Sequence, residues 1–167
     1  MRKEDMEYYS EFLKEFQKET DRGCALVGAA LLDNQLEDTL RSFFLKCKAS
    51  EELLSTYGPL GSFSSRIKLA YCIGAIVEPE YHELEIIRNI RNEFAHGLHG
   101  ISFETQRIKD LCSNFKSDTP GDISNDPRFQ FINAVVCTSS GLFYRSELVS
   151  FKEIVVKLPR KDDRRKN

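Results

Sequence analysis

Apolar residues recur at the spacing of an α-helix along almost the whole chain, and this period constrains the fold more than any other feature. Residues that repeat every three or four positions face one side of a helix, whereas a half-buried strand requires strict alternation. Start and stop signals divide the pattern: Thr20 or Asp21 suits an N-cap, Gly58-Pro59 ends a short segment, and Gly97 follows the last turn of another. The pattern predicts helices over about 5–18, 20–46, 50–58, 61–77, 79–96, 103–115 and 127–151.

These segments indicate an all-α fold, a single-domain bundle of about six or seven helices. The chain of 167 residues is long enough for one domain with its own core. We place this domain at residues 1–158. The composition of residues 116–127 is typical of a loop, and "FKEIVVKL" (151–158) is the segment where a strand is an alternative. Residues 159–167 are polar and mostly basic, and we expect them to be disordered.

The charge balance argues against a wholly basic nucleic-acid-binding surface, although it leaves room for a local patch. The chain has 24 Lys and Arg against 26 Asp and Glu, a net charge of −2. No apolar run approaches the roughly 18 residues of a membrane-spanning helix. The first residues lack the apolar region of a secretory signal, so we expect a cytoplasmic protein.

The cysteines and histidines are not spaced as metal ligands. The five cysteines are widely spread without a C-x-x-C pair, so we expect free, mostly buried thiols in a reducing compartment. His96 and His99 are close in sequence, but Gly97 interrupts the helix and no cysteine is near. The sequence therefore predicts no metal site and no cofactor.

Four charged residues fall on positions that would otherwise belong to the core. Asp33 and Glu37 lie within the apolar stripe of the second helix, Arg66 is in line with that of the fourth, and Arg91 is at the edge of that of the fifth. A buried charge costs several kcal/mol unless it is paired. We therefore expect the acids to pair with the two arginines, with Arg91 mostly buried. Two interpretations remain open: a structural ion network that fixes helix register, and a polar cleft whose arginines also reach a ligand.

A polar stripe runs beside the apolar side of the fifth helix, in "IRNIRNEFAH". Arg88, Asn92 and His96 follow one another at i, i+4 and i+8, and the helix is expected to end near His96. We expect these side chains to line a concave polar surface. Arg88 and Arg66 are the candidate binding residues.

Three consecutive blocks carry a family resemblance. "KETDRGCALVGAALLDNQLEDTLRSFF", "GPLGSFSSRIKLAYCIGAI" and "YHELEIIRNIRNEFAHGLHGISFE" are similar to the mannitol operon repressor (MtlR) family, over about residues 12–115. The resemblance implies an all-helical fold. It also implies a regulatory protein, a transcriptional repressor or co-regulator of mannitol and sugar-alcohol utilisation.

A second, shorter motif resembles the HEPN superfamily of helical domains, many of which are ribonucleases. "RNEFAH" fits their R-N-x-x-x-H pattern, so the resemblance carries over to Arg91, Asn92 and His96. It implies, as an alternative function, metal-independent RNA cleavage by a toxin or defence component. A histidine that titrates near neutrality could take the proton of a ribose hydroxyl, and an arginine could stabilise the phosphate charge.

The sequence also bears on partners. It contains no helix-turn-helix with a basic recognition helix, so direct DNA binding is doubtful. A repressor would then act through a regulatory protein partner or as a dimer with a composite surface. The resemblance to HEPN domains, which commonly pair through the helices that carry the motif, implies a homodimer with the faces around Arg88, Asn92 and His96 near the twofold axis or lining a cleft beside it. RNA remains an alternative partner.

Overall fold

The computed structural model describes residues 3–117 and 125–150. Every regular element in those ranges is a helix, so the predicted all-α class is confirmed. The segment "FKEIVVKL", the basic tail and most of the predicted loop lie outside the described residues. The helices are α1 (Lys3–Phe16), α2 (Asp21–Phe43), α3 (Lys48–Leu54), α4 (Phe63–Cys72), α5 (Glu78–His96), α6 (Gln106–Cys112), α7 (Pro127–Leu142) and α8 (Arg145–Ser150).

Helix α2 is the centre of the bundle and packs against α4, α5 and α7. The hydroxyl of Thr20 caps it by accepting a hydrogen bond from the Gly23 amide at 3.1 Å. Farther along the helix, Gly28 lets other elements approach closely. A Cβ at this position would lie 3.0 Å from the Phe16 ring and 3.1 Å from Val135, so α1 and α7 meet α2 where it has no side chain.

Helix α5 supplies the other long apolar face. Pro79 lies in its first turn, and the Glu80 carboxylate accepts a hydrogen bond from the Val77 amide just before the helix, at 2.9 Å. The helix ends at His96, as predicted from the glycine that follows. Its predicted apolar stripe is fully buried and consists of Leu84, Ile87, Ile90 and Phe94.

Helix α4 is shorter than predicted and ends at Cys72 instead of Val77. Gly74 has a φ of +71°, a left-handed conformation, and the amides of Ala75 and Ile76 turn back to the Ala70 carbonyl at 2.8 and 3.3 Å. This turn satisfies the end of the helix. Helical spacing predicts that Ile73 and Val77 belong to the apolar stripe of this helix, together with Leu69 and Ala70. The turn leaves Ile73 and Val77 exposed, so that prediction is wrong for these two residues.

The predicted last long helix is divided into α7 and α8 at residues 143–144. Arg145 stabilises this break. Its guanidinium donates to the Gly141 carbonyl near the end of α7 at 3.0 Å and to the Ala75 carbonyl at 2.8 Å. Both carboxylate oxygens of Glu80 accept from it as well, at 2.6 and 2.8 Å. The start of α8 is therefore fixed to α5 instead of continuing α7.

Two of the five cysteines are core residues. Burial raises the pKa of the Cys24 and Cys112 thiols to about 12. Cys47, Cys72 and Cys137 are exposed, so the expectation of mostly buried thiols is wrong.

No helix in the described ranges is both long enough and apolar enough to cross a membrane.

The turn after α4 generates a stability prediction. Gly74→Ala should lower the free energy of unfolding by about 1–2 kcal/mol, because a side chain destabilises the left-handed conformation. No heavy atom lies within 4 Å of a Cβ placed there, so steric overlap would not contribute. Gly74→Asn is the matched variant and should lose less, because asparagine tolerates this conformation better. Urea denaturation followed by circular dichroism would test this; equal losses in the two variants would contradict it.

Candidate functional site

Arg66 lies at the centre of a buried ion network. It is only 5% exposed, although it is an arginine. Its Nη1 donates to Asp33 Oδ1 at 2.8 Å, and its Nη2 lies 2.6 Å from Glu37 Oε2. Its Nε and Nη2 also donate to the carbonyls of Leu60 and Leu54, at 3.0 and 3.2 Å. The guanidinium is therefore held by two carboxylates and two carbonyls.

This network accounts for the acids in the apolar stripe of α2. Asp33 and Glu37 are partly buried on the face of α2 that meets α4, and Arg66 of α4 neutralises them there. Glu37 also accepts hydrogen bonds from Arg41, and Arg41 pairs with Glu51 of α3 at 2.7 Å. One chain of ion pairs thus connects α2, α3 and α4.

Arg91 does not belong to this network, and the prediction that it is mostly buried is wrong. Its side chain is exposed, and its Nη1 donates to Asn92 Oδ1 at 3.1 Å. The reason is competition, because the Arg66 guanidinium already pairs with Asp33 and Glu37. From its position at the edge of the α5 stripe, Arg91 instead reaches an open groove.

The groove lies between the first turn of α4 and the polar side of α5. It encloses about 320 Å³ and is lined by Asp33, Gly61, Ser62, Phe63, Ser64, Arg88, Arg91 and Asn92. We call it the α4–α5 groove. A smaller recess of about 160 Å³ shares three of these residues with it and is otherwise apolar, lined by Leu26, Ala29, Ala30, Asp33, Phe63 and Arg91. The two spaces together have a polar end and an apolar end.

Both walls of the groove carry hydrogen-bond donors. On α5, Glu85 orients the Arg88 guanidinium through hydrogen bonds of 2.8 and 3.3 Å. On α4, Ser62 is the N-cap and its hydroxyl accepts from the Ser65 amide at 3.1 Å. The amides of a first helical turn have no acceptor within the helix, and the positive end of the helix dipole lies with them. The polar end of the groove therefore favours an anion.

The structure places the predicted polar stripe only partly as expected. Arg88 and Asn92 line the α4–α5 groove, but His96 is exposed beyond it and is not one of its lining residues. Arg66 is enclosed by its own partners instead of facing the groove. The serines of "GSFSS" were not identified as site residues from the sequence, although Ser62 after a glycine is a recognisable N-cap signal.

Among the described residues, no group of three or more His, Cys, Asp and Glu side chains is arranged to hold a metal ion.

The family profile described as "Mannitol repressor" matches residues 17–128, more than half of the chain. This chain belongs to the mannitol repressor family. The mannitol operon repressors of Escherichia coli K12 and of Escherichia coli O6:H1 are each 38% identical to it over 60 residues. That alignment covers 36% of this chain and 31% of each repressor, so it spans about a third of the curated relatives' length.

A solved structure supports the fold. A chain in the X-ray structure of the MtlR–HPr complex from Escherichia coli matches with a TM-score of 0.58 and 23% identity, over 84% of this chain and 97% of that chain. At this identity the likeness concerns the fold alone. The family profile confirms the resemblance to the mannitol repressor family, and the two curated relatives agree with it. The comparisons do not support the ribonuclease alternative.

The ion network generates a second stability prediction. Arg66→Ala should lower the free energy of unfolding by about 3–5 kcal/mol, because two acids lose a buried partner. Arg91→Ala is the matched control and should cost about 0.5 kcal/mol or less, because that side chain is exposed. Urea denaturation of both variants at neutral pH measures the difference. A loss in Arg91→Ala as large as that in Arg66→Ala would show that Arg66 is not the centre of the network.

Proposed function

We propose that this protein regulates a mannitol operon as a transcriptional repressor or co-regulator, and that it does so by binding another protein. Membership of the mannitol repressor family supports the regulatory role. The fold it shares with a chain of the MtlR–HPr complex supports regulation through the binding of another protein. The partner we propose is the HPr protein of the same cell.

The observation that carries protein association is an exposed apolar surface at the corner between α4 and α5. Tyr71, Ile73 and Val77 are all exposed there, and Val77 is 58% exposed. Tyr71 stacks on Tyr81 of α5 with a ring-centroid distance of 4.6 Å, which keeps its ring in place. We call Tyr71, Ile73 and Val77 the corner patch. Neighbouring apolar side chains left in water are typical of a protein-binding surface.

The charges on the helices favour a protein partner over DNA. DNA binding needs a cluster of unpaired cations on one face. Several surface cations of the described helices are instead paired with carboxylates: Lys48 with Glu52, Lys109 with Glu104, and Arg107 with Glu93, at 3.4, 2.6 and 2.6 Å. Such pairs reduce the positive potential that a phosphate backbone would meet.

Substitution within the corner patch tests this proposal. Val77→Asp should weaken binding to purified HPr by about tenfold or more, because a charge would be buried at the interface. Val77 is the N-cap of α5, a position that favours aspartate, so the variant should keep its fold. Tyr57→Asp is the control, since Tyr57 is fully exposed outside the patch. Isothermal titration calorimetry measures both affinities.

Two results would contradict the proposal. One is an unaltered chain that does not bind HPr. The other is an unaltered chain that binds mannitol-operon DNA by itself, with sequence selectivity at physiological salt, in an electrophoretic mobility assay. Equal loss in Val77→Asp and Tyr57→Asp would remove the corner patch as the binding surface.

We also propose a homodimer that forms around the polar side of α5, with Arg88, Asn92 and His96 lining a cleft beside the twofold axis. All three side chains are at least partly exposed, as an isologous contact requires. Light scattering at tens of micromolar protein should give a mass near twice the 19.2 kDa of one chain. A monomer mass under these conditions would exclude the homodimer.

A further inference from the structure

We propose that the α4–α5 groove binds a small organic phosphate monoester, with its phosphate at the polar end and its body in the adjoining recess. The site is distinct from the corner patch, and the inference does not depend on the proposed partner. Three observations support it: which arginines are ion-paired, which walls of the groove carry hydrogen-bond donors, and the volume and lining of the groove and recess.

Arg91 is the cation available to a ligand. Within residues 3–117 and 125–150, no carboxylate lies within ion-pair distance of it, and its hydrogen bond is to a neutral amide, Asn92. The other two guanidinium groups are already neutralised, Arg66 by Asp33 and Glu37, and Arg88 by Glu85. An anion bound to Arg91 would therefore gain a charge-assisted hydrogen bond without breaking an existing ion pair.

Donors approach the polar end from two walls. Arg88 and Arg91 line it from α5, and Ser62 and Ser64 line it from the first turn of α4. The amides at this end of α4 have no acceptor in their own helix. A planar carboxylate is satisfied by one bidentate arginine, whereas a tetrahedral phosphate has oxygens for both walls. The two-walled arrangement therefore favours phosphate.

The shape of the space defines the rest of the ligand. The groove of about 320 Å³ is at the lower end of the range for small-molecule sites, so the body has only a few carbon atoms. Phe63, Asp33 and Arg91 line both the groove and the apolar recess, so they lie where the two spaces meet. A carboxylate there repels an anionic head and accepts a hydrogen bond from a hydroxyl. This places the phosphate on the side of Arg91 that faces Arg88, away from Asp33, and selects a hydroxylated body.

The inference is tested with the purified full chain and glycerol 3-phosphate as the probe, followed by two-dimensional ¹H–¹⁵N NMR. Titration should shift the backbone amides of Phe63 and Ser64, which report on the α4 wall. Glycerate is the comparison probe, with a carboxylate in place of the phosphorylated CH₂ group, and should bind about tenfold more weakly. Inorganic phosphate tests the head alone and should shift the same amides.

Two substitutions should remove binding while keeping the fold. Arg91→Ala should weaken the binding of glycerol 3-phosphate about tenfold or more, because a charge-assisted hydrogen bond is lost. Ser64→Glu should have the same effect, since it puts a carboxylate on the α4 wall at a position where an acid suits the helix. Arg107→Ala is the control, an exposed arginine paired with Glu93 and absent from the groove lining. Circular dichroism verifies that each variant is folded.

Loss in Arg91→Ala and Ser64→Glu with full binding in Arg107→Ala would establish the site. The inference is overturned if glycerol 3-phosphate does not bind, if it binds equally well to Arg91→Ala, or if glycerate binds as tightly. Binding of a phosphoserine peptide without binding of glycerol 3-phosphate would also overturn it, since the occupant would then be a protein. None of these results depends on HPr, so failure here leaves the proposed regulatory function standing.

Discussion

The rest of the structure depends on the pairing of Arg66 with Asp33 and Glu37. Removing these charges from water is unfavourable, and the cost is offset only because both acids and two backbone carbonyls converge on one guanidinium. An aliphatic residue at position 66 could fill the space but would remove the cation that pairs with Asp33 and leave Glu37 with Arg41. A charged contact of this kind also fixes register, because a shift of α4 along α2 would separate every pair at once.

The network determines where the α4–α5 groove can form. By fixing α4 on α2, it places the first turn of α4 beside the polar side of α5. It also occupies the acids that Arg91 would otherwise reach, which leaves that guanidinium facing the groove. Phe63, in the same first turn, lines both the groove and the recess. Arg91 is thus left without a carboxylate partner among the described residues because Arg66 pairs with Asp33 and Glu37.

Periodicity predicted the class of fold, the position of α2, the buried side of α5 and the end of α5, because these follow from spacing and capping within each helix. It also identified the acids of the network. It did not predict the end of α4, where Gly74 adopts a left-handed conformation inside an apolar run. The break before α8 depends on Arg145 reaching Glu80 of another helix. The position of Arg91 depends on competition with Arg66, and no local pattern contains such contacts between distant residues.

Helix α4 connects the two surfaces to which we assign binding. Its first turn lines the groove and its last turn leads into the corner patch, and ten residues of helix separate them by about 15 Å. Arg66 lies between these ends and fixes both to α2. A substitution at Arg66 would therefore disturb groove and patch together, and its effect on binding would not identify a contact. Side chains at the two ends, such as Ser64 and Val77, can be changed separately, so only they can distinguish a ligand bound in the groove from a partner bound at the patch.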